Sequence, residues 1–112
     1  MNISESSNRR WRRYAVEARL KVSVRRNGNK TSVFGRSSSL SEGGMGAYIP
    51  CEIPLGESVV LEVTLPGSAN EIMVTATVRN VAGFRYGLEF HRLSDDARVR
   101  IVKCCDAAAV PS

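Results

Sequence analysis

Six short stretches of this chain carry the two-residue period of a β-strand, and turn residues separate them. Leu20, Val22 and Val24 alternate with Lys21, Ser23 and Arg25, and the run stops at Asn27-Gly28. Both residues of that dipeptide tolerate positive φ, so a tight hairpin is predicted there, with a second strand over about 31–38. Gly43, Gly44 and Gly46 read as a turn before a short strand over 47–49, and Pro50 and Pro54 argue for a loop after it. Val59, Leu61, Val63 and Leu65 alternate with Val60, Glu62 and Thr64 up to Pro66-Gly67. Ile72, Val74, Ala76 and Val78 interleave with Met73, Thr75, Thr77 and Arg79. After Ala82-Gly83, Phe84, Tyr86, Leu88 and Phe90 interleave with Arg85, Gly87, Glu89 and His91, with the rings facing the core.

Half-buried strands of this kind are antiparallel, with one polar face, and six of them favour a small barrel or a sandwich. The period then changes. Ser94 is a candidate N-cap, Asp95 and Asp96 suit a helix N-terminus, and Ala97, Ile101 and Cys105 recur at helical spacing. A terminal helix packed on the sheet is predicted. At 112 residues and 43% apolar content the chain has material for one domain with one modest core.

No apolar run approaches membrane-spanning length, and the N-terminus lacks the apolar region of a secretory signal. A cytoplasmic protein without membrane insertion is expected. Three cysteines, an odd number, suit a reducing compartment better than a disulfide framework.

The only histidine, His91, has no carboxylate pair placed by local spacing to tune it as a proton donor or acceptor. Cys104 and Cys105 are adjacent, whereas zinc sites separate their cysteines by about two to four residues. Core filling is the better reading of the cysteines, and no enzyme, metal or cofactor is expected.

The net charge of +5 is unevenly spread. Residues 1–26 hold eight basic side chains against Glu5 and Glu17, and residues 27–112 hold eight against nine acids. The basic excess concentrates in "NRRWRR", residues 8–13, which points to an anionic partner for this end of the chain. Arginine suits phosphate because its planar fork donates paired hydrogen bonds and keeps its charge, and the same fork matches the acceptor edge of guanine. A second stretch, "SLSEGG", sets Ser39 and Ser41 two residues apart, on one face if the strand continues, ahead of Gly44, which lets a ligand approach the backbone.

In this order the two stretches resemble the PilZ domain, a bacterial receptor module for cyclic di-GMP. An RRxxR start precedes a hairpin and a [Asp/Asn]-x-Ser-x-x-Gly turn, and "RYGLEFHRLSDDAR" is similar to the family's last strand and the start of its closing helix. The resemblance covers about residues 8–106. It implies an all-β fold, a six-stranded antiparallel β-barrel with a C-terminal α-helix, in one domain over 9–106 between a flexible tail at 1–8 and a C-terminal tail at 107–112. It also implies that Arg9, Arg10 and Arg13 grip the phosphates and guanine edges of the ligand from a mobile arm. Ser41 and Gly44 match the second motif. Ser39 departs from it, standing where the family has Asp or Asn, and a serine hydroxyl is a shorter and weaker acceptor. With no output domain in the chain, signalling through a downstream protein is implied. Two alternatives stand beside this one: a degenerate module working by protein contacts alone, and a basic barrel binding RNA or DNA. The low aromatic content, 6%, argues against the last, because single strands stack on several exposed rings.

Overall fold

The computed structural model describes residues 12–109. The six alternating runs form strands β1 (Arg19–Arg26), β2 (Asn29–Leu40), β3 (Gly44–Tyr48), β4 (Ser58–Thr64), β5 (Ile72–Ala82) and β6 (Arg85–Phe90), and a helix α1 (Asp95–Ala109) follows. Every pairing is antiparallel, and the order β1-β2-β3-β6-β5-β4 closes on itself through the β1–β4 ladder. Of the two architectures the sequence leaves open, the barrel is therefore the one formed. Closure leaves no edge strand among these six.

The alternation decides which side chains enter the barrel. Leu20, Val22 and Val24 of β1 meet Leu61 and Val63 of β4, Val74, Ala76 and Val78 of β5, and Leu88 of β6, all buried. Asn27 and Gly28 both take positive φ, 51° and 80°, so the first hairpin turns as the dipeptide predicts. Tyr86 is buried with its hydroxyl donating to the Cys51 carbonyl at 2.6 Å and accepting from the Ile53 amide at 3.0 Å, which ties the proline-bearing loop to β6.

Two local expectations are corrected. The third strand begins at Gly44 and ends at Tyr48, where sequence predicts 47–49. Gly44 and Gly46 are strand residues because neighbouring atoms crowd the place of their side chains: a Cβ on Gly44 would run into the Leu88 carbonyl of β6. Phe84 lies in the β5–β6 turn and is exposed, as are Phe34 and Tyr48, whereas Tyr86 and Phe90 face the core as predicted. Tyr48 and Phe84 make an edge-on contact, centroids 6.4 Å apart.

The helix is capped by Ser94, whose Oγ accepts from the Ala97 amide at 3.1 Å, and it buries Ala97, Ile101 and Cys105 as the spacing predicts. Arg100 donates to Ser68 Oγ and to the Asn70 carbonyl, fastening α1 to the β4–β5 turn. No helix among the described residues is long and apolar enough to cross a membrane.

Candidate functional site

The segment entering the barrel is pinned along β2. Tyr14 and Leu40 exchange both backbone hydrogen bonds, at 3.0 and 2.9 Å. The buried Ser37 hydroxyl accepts from the Ala18 amide at 2.8 Å and donates to the Val16 carbonyl at 2.6 Å. With Val16 and Ala18 buried, the chain is held through the residue that follows Arg13. Arg13 is exposed, and its guanidinium donates to Ser39 Oγ at 3.2 Å. The arginine stretch and the serine-glycine stretch, 26 residues apart, therefore meet at one corner. Arg9, Arg10 and Trp11 lie outside the described residues, as does the 1–8 tail.

Ser39 sits beside a bulge between Ser37 and Ser39, where β2 slips against β3. Its Oγ also accepts from the Gly46 amide at 3.1 Å. Register then runs a row across four strands: Ser39 of β2 pairs with Gly46 of β3, Gly46 with Gly87 of β6, and Gly87 with Asn80 of β5. Met45, Ala47, Tyr86 and Leu88 point into the core, so Gly46 and Gly87 face outward. The two glycines form the middle of the row, and the Ser39 and Asn80 side chains reach over them from either end. A Cβ on Gly46 would come to 2.8 Å from Ser39 Oγ and 3.6 Å from Arg13 Nη1, and one on Gly87 to 2.9 Å from Asn80 Nδ2. The adjoining outward row is Arg36, Tyr48, Arg85 and Ala82. Such a surface offers an anionic ligand with flat groups glycine backbone and short polar side chains beneath it, the Arg13 guanidinium at one end and the Tyr48 ring in the next row.

Ser41 and Gly44 do other work. Sequence allows Ser39 and Ser41 one common face, but β2 ends at Leu40 and the backbone turns. The Ser41 hydroxyl is buried in its own turn, accepting from the Gly43 and Gly44 amides at 3.1 Å each and lying 3.3 Å from the Gly44 carbonyl, to which it donates. Gly44 leaves room for β6, not for a ligand. Both residues thus shape the turn that presents Ser39 and Gly46. Gly46, Gly87 and Asn80 were not singled out from sequence as site residues. The strand alternation Gly44, Met45, Gly46, Ala47 holds the signal for Gly46, once the glycines are read as strand and not as turn.

A second hollow, about 230 Å³, lies between the entering segment and α1, lined by Arg12, Tyr14, Glu42, Val102, Cys105 and Asp106. The Arg12 guanidinium stands 5.9 Å from the centre of the Tyr14 ring. Burial pushes the Cys105 thiol up to about 11, with Cys104, Asp106 and Glu42 adding to the shift, and burial raises Cys104 as well. Thiols held protonated are poor nucleophiles, in keeping with core filling. His91 Nε2 is 2.5 Å from Thr77 Oγ1. Among the described residues no group of three or more His, Cys, Asp or Glu could hold a metal ion.

Comparison with solved structures returns the same barrel. The PilZ domain of YcgR from Escherichia coli, determined with cyclic di-GMP, superposes with a TM-score of 0.70 at 19% identity, over 89% of this chain and 90% of that one. The Bacillus subtilis inhibitor of motility, MotI/DgrA, gives 0.68 at 16%, over 88% of this chain and 50% of that one. The PilZ domain of CeSA from a cellulose-synthesizing bacterium gives 0.63 at 16%, over 86% and 96%. No curated protein matches the sequence. The family model of the PilZ domain matches residues 7–107, nearly the whole chain, and with it the chain belongs to the PilZ domain family.

Proposed function

We propose that this chain is a receptor for cyclic di-GMP and not an enzyme, that it works in the cytoplasm, and that it signals by presenting its nucleotide-bound surface to a partner protein. The observation that carries this reading is the Arg13–Ser39 contact at the end of the Gly46–Gly87 strip, in a chain of a family of cyclic di-GMP receptors. Arg13 supplies a fixed positive charge where a phosphate or the acceptor edge of a guanine can sit. Arg9 and Arg10, four and three residues before it, add charge from the same arm. A nucleotide held over the strip by these arginines would change the outer surface of β2 and β3, and a partner with higher affinity for the bound form would respond to the messenger.

Titration calorimetry with cyclic di-GMP tests the reading, with GTP and a short oligonucleotide as controls. Saturable binding of the cyclic dinucleotide, with at least tenfold weaker binding of GTP, is the expected outcome. Phe34, Tyr48 and Phe84 are exposed rings on the outside of the barrel, so the oligonucleotide control tests a real rival. Tighter binding of the oligonucleotide would replace this reading with the nucleic-acid one. No binding of any of the three would leave an adaptor acting by protein contacts.

A further inference from the structure

The Ser39 hydroxyl has a fixed hydrogen-bond inventory. Its oxygen accepts from the Gly46 amide at 3.1 Å and from Arg13 Nη1 at 3.2 Å. A serine hydroxyl has two acceptor lone pairs and one proton to donate. Both lone pairs are thus engaged by protein donors, and the O–H is the one hydrogen-bonding capacity left. The side chain is half exposed, and its Oγ sits over Gly46, 2.8 Å from where a Cβ would stand, so the remaining O–H is available to a ligand lying on the strip. Arg13 beside it is a donor with no acceptor capacity at all. Ser38, whose Oγ is 3.3 Å from that Cβ position, carries a hydroxyl able to rotate and to act in either sense. Glu89, the one carboxylate of β6, is held by Arg79 at 2.6 Å.

Taking the chain as a cyclic di-GMP receptor, as proposed above, we infer that Ser39 inverts the polarity of this corner. The corner donates to an acceptor on the ligand, a phosphate oxygen or the O6/N7 edge of the base, and does not accept from the base's N–H groups. An aspartate at this position would carry about four lone-pair sites on its two oxygens, enough to satisfy Gly46 and Arg13 and still accept from the N1–H and exocyclic amine of guanine, whereas the single carbonyl oxygen of an asparagine has two, as serine does. Ser39 therefore sets base selectivity: this corner does not count the exocyclic amine.

The discriminating ligand is cyclic di-IMP, in which hypoxanthine replaces guanine and only the exocyclic amine is lost. Affinities for cyclic di-GMP and cyclic di-IMP are measured for the wild type, Ser39→Ala and Ser39→Asp, with Ser39→Asn as a control whose one carbonyl oxygen has no more lone pairs than serine. Ser39→Ala is expected to weaken both ligands by a similar factor, about three- to tenfold for one neutral hydrogen bond, and to leave their ratio unchanged. Ser39→Asp is expected to raise the preference for the guanine ligand about tenfold, and Ser39→Asn to leave it near the wild-type value. A guanine preference that collapses in Ser39→Ala would show that the hydroxyl accepts from the amine and would overturn the inference. So would an unchanged ratio in Ser39→Asp. Failure of the wild type and every variant to bind either ligand overturns the receptor reading itself, a result distinct from binding with the wrong selectivity.

Discussion

Gly44 and Gly46 stand two residues apart in one short strand and carry different loads. A Cβ on Gly44 meets backbone of β6, which has no room to give, whereas a Cβ on Gly46 meets the ends of two serine side chains and an arginine. Gly44→Ala should therefore destabilise the fold by about 1–3 kcal/mol, as overpacking does, and lower the melting temperature measured without ligand. Gly46→Ala should displace Ser39 Oγ, cost little stability and weaken cyclic di-GMP in a binding titration. The reverse pattern would mean that the strip is not where the nucleotide lies. Arg13→Ala removes charge-assisted hydrogen bonds worth about 1.5–3 kcal/mol, so affinity should fall roughly ten- to hundredfold with the unliganded melting temperature nearly unchanged. Residue type and spacing single out Arg13 and Ser39 in the sequence as candidates, and the structure brings the two into contact. That Ser41 and Gly44 serve the turn could not be read there, since only the neighbouring strand β6 shows what fills the space beside them.

At the scale of elements, strand periodicity was legible wherever one face is buried and the other wet, as in β1, β4 and β5. It failed at β3, where glycines selected by close contacts imitate a turn, and at the bulge between Ser37 and Ser39, which leaves no mark in the alternation. The entering segment is the element on which the site depends, and the buried Ser37 hydroxyl locks it to β2. Ser37→Ala leaves the Ala18 amide and the Val16 carbonyl without that partner, at about 1–3 kcal/mol for each buried group left unsatisfied. Hydrogen exchange across residues 14–18 should accelerate and nucleotide affinity should fall, because Arg13 loses its fixed approach to Ser39. Unchanged exchange in this variant would place the anchor of the segment elsewhere. Helix α1 gives a test of its own. The Cys105 thiol keeps its proton to about pH 11 when folded, against an ordinary 9.0, so between those values the folded chain binds more protons than the unfolded one. Its contribution to stability is full below pH 9.0 and is lost as pH rises towards 11. Denaturation at rising pH should show this loss in the wild type and a shallower one in Cys105→Ala.

Across the whole molecule, a closed barrel buries the apolar faces of its strands and leaves the candidate site on its outside. Core positions are filled by the alternating apolar residues, and the polar positions between them are free to vary without disturbing closure. That separation explains why the fold was readable from hydrophobic period and turn chemistry alone, while the outer row of Ser39, Gly46, Gly87 and Asn80 needed the register. Those four residues come from four strands whose pairing order, β2-β3-β6-β5, is not sequential. Amide chemical-shift mapping during titration with cyclic di-GMP tests the central claim most directly. Large shifts should cluster at residues 12–14, at Ser38, Ser39 and Gly46, and at Gly87 and Asn80, with β1 and β4 nearly silent. Saturable binding whose shifts fall instead on β1, β4 or the hollow beside α1 would contradict the account.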